Sequence, residues 1–128
     1  MADIWQAQNQ FWNSFTWKAY DDQTIFTEGD LPAYPHITYE SASGAFGTEA
    51  TLSVHLWDRA TSWAAIKQKA DEIKSALSRG GVLVPHEDGY IWLKIPENTV
   101  FSRPFDTGSS DELVKRIMLT VSAEYLAE

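Results

Sequence analysis

Cysteine is missing from all 128 positions, so disulfide staples, thiolate nucleophiles and Cys-based zinc sites are excluded together. The redox compartment stays open. No apolar run approaches the roughly 18 residues of a membrane-spanning helix, and the opening Met1-Ala2-Asp3-Ile4-Trp5-Gln6 is acidic and amphipathic rather than basic and apolar. A soluble, unsecreted protein is expected. Positive charge is scarce: 10 Lys and Arg face 18 Asp and Glu, for a net charge of −8 and a pI near 4.7. Such a surface opposes a phosphate backbone, so neither nucleic acid nor a membrane is an expected partner. The shortage is sharpest from Ala19 to Asp58, which holds no Lys or Arg but seven acids: Asp21, Asp22, Glu28, Asp30, Glu40, Glu49 and Asp58. Catalytic signatures are missing too. There is no Gly-x-Ser-x-Gly elbow, no His-Glu-x-x-His and no Asp-rich calcium loop. Gly44-x-x-Gly47 lacks the basic flanks of an RNA-clamping loop, and Gly80-Gly81 reads as a helix stop rather than a phosphate cradle.

What the chain has is enough length for one core and abundant aromatic mass. A single domain over residues 1–128 can bury about two thirds of its extended surface without staples. Six Trp, five Tyr and six Phe must either fill that core or sit at a contact surface. Asp3 to Phe15 places Ile4, Ala7 or Gln8, Phe11 and Phe15 at helical steps, with Asp3 as N-cap. Thr16–Tyr20 reads as extended and Asp21–Pro35 as a long acidic loop, of the kind that is often functional. Ile37–Glu40 is a short strand, Ser41–Gly47 a hairpin loop, and Ala50–Trp57 a strand of strict two-residue alternation.

Thr61 or Ser62 caps a second helix with Trp63, Ile66, Ala70, Ile73 and Leu77 inward and Lys67, Lys69, Asp71, Glu72 and Lys74 outward. Val82–Val84 and Tyr90–Ile95 flank a Pro85–Gly89 turn as a hairpin, with Pro85 at a strand end or an edge. After a loop from Pro96 to Ser110, Ile117–Tyr125 alternates as a closing strand, with a helix as the competing reading of the same residues. The expected fold is α+β: a mainly antiparallel β-sheet packed against two α-helices.

Few residues suggest chemistry. Ser53, His55 and Asp58 form the one local polar cluster with the makings of a hydrolytic triad, but a polar outer strand face explains them more simply. His36, His55 and His86 are scattered without metal-ligand spacing. Trp57, Trp92, Phe101 and Phe105 either pack under loops or anchor a contact.

The stretch Pro32-Ala33-Tyr34-Pro35-His36-Ile37-Thr38-Tyr39, then Phe46-Gly47-Thr48 into Leu56-Trp57-Asp58-Arg59, is similar to the tail terminator (tail completion) proteins of long-tailed bacteriophages. The likeness continues through Ser62-Trp63 to Ala76-Leu77 and through Lys115-Arg116-Ile117-Met118-Leu119-Thr120-Val121-Ser122-Ala123-Glu124-Tyr125, so it spans most of the chain. It implies a virion protein, assembled in the host cytoplasm, that forms a sixfold ring on the head-proximal end of the tail tube. The ring ends tube polymerisation and offers a surface to the head-tail connector. The partners implied are further copies of the chain, the major tail-tube protein and a neck protein; neither catalysis nor a cofactor is implied. Neck, head-closure and minor tail proteins share the same size and acidity.

Physical reasoning then nominates Phe46, Trp57, Arg59, Phe101 and Phe105 as oligomer or partner contacts. Asp21, Asp22, Glu28 and Asp30 are nominated to line a channel for DNA or meet a basic partner. Rival readings are a carbohydrate-binding module stacking sugars on Trp57 or Trp92, and a small hydrolase built on Ser53, His55 and Asp58. Reversing Asp21, Asp22, Glu28 and Asp30 to Lys is expected to impair assembly or DNA passage, and infectivity assays with unchanged titres would refute that role.

Overall fold

Two long alternating strands set the architecture of this computed structural model, which describes residues 2–127. β3 (Glu49–Arg59) and β7 (Val114–Ala127) pair antiparallel from Glu49 opposite Glu124 to Arg59 opposite Val114. The closing segment is therefore a strand and not the competing helix. Its β-branched Val114, Ile117, Thr120 and Val121 suit a pleated, half-buried surface.

Around this pair the sheet grows to seven strands. β2 (His36–Tyr39) lies antiparallel to β3, and β1 (Lys18–Asp21) lies parallel to β2 at the end of the sheet. On the other side of β7 run β5 (Gly89–Lys94) and, beyond it, the edge strand β4 (Val82–His86). β6 (Ser102–Pro104), a three-residue strand inside the Pro96–Ser110 loop, pairs with Ile117–Leu119 of β7 in line with β5. The order is β1-β2-β3-β7-β5-β4 with β6 beside β7, a mostly antiparallel sheet with one parallel pair. Pro85 sits on the edge strand, where its missing N–H costs no ladder bond.

Alternation sends Ile37, Tyr39, Leu52, Val54, Leu56, Ile117, Leu119, Val121, Ile91 and Leu93 to one buried face. Both helices, α1 (Ile4–Asn13) and α2 (Ala64–Leu77), cover that face, and the buried residues form one cluster. α1 opens with a capping box: the Asp3 carboxylate accepts from the Gln6 N–H at 2.8 Å, and the Gln6 side chain accepts from the Asp3 N–H. Its deepest residue is Trp12, whose ring stacks against Tyr39 at 6.4 Å between centroids. The helix ends at Asn13, so Phe15 reaches the core from just beyond it. Gln8 is also buried, and its amide both donates to and accepts from the Ala42 backbone, which ties α1 to the chain leaving β2.

α2 starts at Ala64, with Ser62 Oγ accepting from the Ala64 N–H at 3.0 Å; Ser62, not Thr61, supplies the cap-like bond. The helix ends at Leu77, three residues before Gly80. Gly81 is needed for a different reason than stopping the helix: its φ is +81°, and a Cβ there would lie 2.4 Å from the Leu93 carbonyl oxygen.

Lys69 departs from the outward placement expected of it. Its side chain is buried, and Nζ donates to the Phe15 carbonyl at 2.7 Å and to Thr16 Oγ1 at 3.2 Å, with the Glu72 carboxylate 3.1 Å away. A cation therefore shares with the Thr16 hydroxyl a carbonyl just past the C-terminus of α1, and joins the two helices. Lys69→Ala removes the ammonium's bonds to that carbonyl and to Thr16 Oγ1, leaving only the Thr16 hydroxyl on the carbonyl, and urea unfolding should show a loss of about 1–2 kcal/mol. Lys67→Ala, on the exposed face of the same helix, should stay within about 0.5 kcal/mol of the parent.

Candidate functional site

The face of the sheet turned away from the helices carries the other half of each alternation, and there the register assembles an aromatic ladder. His36 lies opposite Trp57, and Trp57 lies opposite Arg116. The His36 and Trp57 rings stack at 6.1 Å with 10° between their planes, and Trp57 Nε1 donates to Thr38 Oγ1 at 3.0 Å. Tyr34 and Tyr20 extend the ladder past His36, and Phe26 meets Tyr20 edge to face at 5.0 Å.

Arg116 is the keystone of this face. Its guanidinium lies 4.7 Å from the Trp57 ring and 4.5 Å from the Phe105 ring, between a strand and the 96–113 loop. Nη1 donates to the Asp106 carbonyl at 3.0 Å, and Nε donates to His55 Nδ1 at 3.1 Å. Accepting at Nδ1 requires a neutral His55 ring. Burial, and secondly the neighbouring Arg116 charge, push the His55 pKa down to about 4. Burial also lowers His36.

The nominated residues are divided by the structure. Trp57 and Phe105 meet on this face through Arg116. Arg59 is exposed at the end of β3 and pairs with Asp111 at 2.9 Å, which together with the Leu113 N–H holds the Asp111 carboxyl below its usual range. Phe46 projects from the loop before β3, half exposed. Phe101 is a correction: it is a core residue beside β6, because the Thr120 N–H donates to its carbonyl and draws the loop onto β7.

The acidic group also separates. Asp21 belongs to β1, on the inner face opposite Tyr39, and accepts from Ser41 Oγ and the Gln23 N–H. Asp22 and Asp30 are exposed; partial desolvation of its carboxyl, and then the Asp21 and Glu40 charges, raise the Asp22 pKa. The Glu28 side chain lies outside the described residues. A four-site reversal therefore mixes surface charge with a structural hydrogen bond at Asp21.

The triad is overturned by parity. Ser53 and His55 face outward, whereas Asp58, three residues from His55, faces inward opposite Lys115. His55 Nδ1 is already occupied by Arg116. Among the described residues no group of three His, Asp or Glu side chains converges as a metal site would, and no helix is long and apolar enough to cross a membrane.

Large exposed apolar side chains mark three further regions, one of them Trp5 on α1 and Leu83 on the edge strand β4. The loop between β1 and β2 carries Ile25 (92% exposed), Leu31 (68%) and Tyr34 (42%). Beside β6, Val100 (66% exposed) joins Asn98, Thr99, Arg103, Met118 and Thr120 around a groove of about 350 Å³ that no acid lines. Sequence reading missed Arg116, Arg103 and Val100. The signal for Arg116 was its register with Trp57, available only by pairing the two longest alternating strands. The chain matches no protein-family model and no curated protein sequence.

His55 sets a pH dependence. Its pKa is lower in the folded chain than in the unfolded one, so stability is full above about pH 6.5 and falls as the pH drops towards 4. Thermal melts should show a loss of about 1 kcal/mol between pH 7 and pH 5, allowing for partial solvent exposure of the ring. His55→Gln, which keeps an acceptor but does not titrate, should reduce that slope and leave the part contributed by the lowered His36 pKa; an unchanged slope would remove His55 as a source.

Proposed function

We propose that the chain is a structural subunit of a long-tailed bacteriophage, a tail terminator that closes the head-proximal end of the tail tube as a ring of about six copies. The observation that carries this reading is the placement of exposed apolar side chains on opposite flanks of the central β3–β7 pair. Ile25, Leu31 and Tyr34 lie at the β1 end, and Val100 lies beside β6 across β7. A ring built by one repeated rotation needs two different patches on each subunit, because a single self-complementary patch stops at a dimer. The α+β fold with two helices on one face agrees with the resemblance noted in the sequence.

The rivals meet specific obstacles. Sugar stacking needs open indole faces, but the Arg116 guanidinium lies over Trp57 and Lys94 Nζ lies 4.0 Å from the Trp92 centroid. A serine hydrolase needs its acid beside its base, and Asp58 lies on the other side of the sheet from His55. In the proposed role the protein acts by assembly, with the tail-tube protein below it and a neck protein above it, and needs no cofactor.

Light scattering against concentration, with negative-stain imaging of the same sample, tests the reading. A closed ring near six times the 14.4 kDa chain, about 86 kDa, supports it. Specific capping of purified tail tubes by the chain supports it equally. A protein that neither forms a ring nor binds tubes refutes it.

A further inference from the structure

The apolar patches at the β1 end and beside β6 differ in charge. At the β1 end, Ile25 and Leu31 share a loop with exposed Asp22 and Asp30, inside the segment that holds no Lys or Arg. Beside β6, Val100 shares its groove with Arg103, which forms no ion pair among the described residues and stands 5.5 Å from the Phe105 ring. Arg103 also lines a second groove with Lys67 on the α2 side, although Asp71 is part of that one.

The register fixes how these patches relate. Asp21, Tyr39, Val54, Leu119 and Ser102 are successive partners across β1, β2, β3, β7 and β6, forming one row through the sheet. β1 and β6 end that row, about four strand spacings or roughly 19 Å apart. The acidic loop and the Arg103 groove therefore lie on opposite flanks of one chain, with three strands between them.

Resting on the ring reading above, we infer that the acidic Asp22–Leu31 loop of one copy docks into the Val100–Arg103 groove of the next copy. Ile25 or Leu31 fills the groove against Val100 and Met118, and Asp22 or Asp30 meets Arg103. The occupant is a second copy because the same chain supplies both an acidic apolar projection and a basic apolar recess, on flanks that repeat head to tail. The contact joins unlike surfaces, so each copy keeps one of each free for its neighbours until the ring closes.

Charge reversal at exposed positions tests this without touching the core. Asp22→Lys with Asp30→Lys in one variant, and Arg103→Glu in another, should each weaken self-association at least tenfold while circular dichroism stays that of the parent. An equimolar mixture should restore it, because the reversed loop of one meets the reversed groove of the other. The lack of cysteine allows a second readout: Leu31→Cys with Val100→Cys should give a ladder of cross-linked oligomers on oxidation, and either single variant no more than dimers.

Reversals that leave self-association unchanged, a mixture that does not recover, or a double-cysteine chain that stops at dimers would each overturn the docking. A ring that forms and caps tubes despite both reversals sinks this contact and leaves the terminator reading standing. Parent protein that neither self-associates nor binds tubes sinks both.

Discussion

The eleven-residue register between β3 and β7 is the constraint on which the rest depends. It sorts Leu52, Val54, Leu56, Ile117, Leu119 and Val121 to one face and His55, Trp57 and Arg116 to the other. A slip of one residue would drive an indole and a guanidinium into the core and bring leucines to the surface, so the register is held by the full cost of that exchange. Everything else attaches to this pair. β2 and β1 extend it on one side, β5, β4 and β6 on the other, and the helices settle where the apolar side chains already point.

Much of the scarce positive charge is spent on holding the fold together. Lys69 is buried against the end of α1, Lys115 is buried under Trp63, and Arg116 is held between Trp57 and Phe105. Lys94 lies among Glu49, Glu124 and Trp92, and Arg59 pairs with Asp111. A chain with ten basic residues therefore shows its surroundings fewer free cations than its composition suggests, and its acid excess is correspondingly more visible. Lys18, Lys67, Lys74, Arg79 and Arg103 are exposed and form no ion pair among the described residues, and of these Arg103 is the one that lines the Val100 groove.

How much was legible in the sequence follows from the range of the forces involved. β3 and β7 could be read because alternation is local and both strands are long; α2 could be read because its apolar steps are regular. β6 could not, since three residues carry no periodicity and its pairing depends on a strand that follows in sequence. Phe101 looked like a loop aromatic for the same reason. Lys69 has an ordinary helical position, and only the arrival of α1 turns its ammonium into a tertiary link. Asp58 differs from these cases: its odd spacing from His55 was visible all along, and strand parity alone separates the two.

The proposed head-to-tail contact would join small patches. A groove of about 350 Å³ admits one or two aliphatic side chains, so an isolated pair of copies joined there would bury little area and be held weakly. Closing a ring changes the balance, because the final contact forms within one particle and loses no further translational freedom. Open chains of intermediate length then lack the contact that completes them, and the population divides between single copies and closed rings. An end surface that ordered several copies side by side would supply the same advantage from below. Weak lateral contacts of this kind would suit the proposed role, in which copies stay apart until a template gathers them.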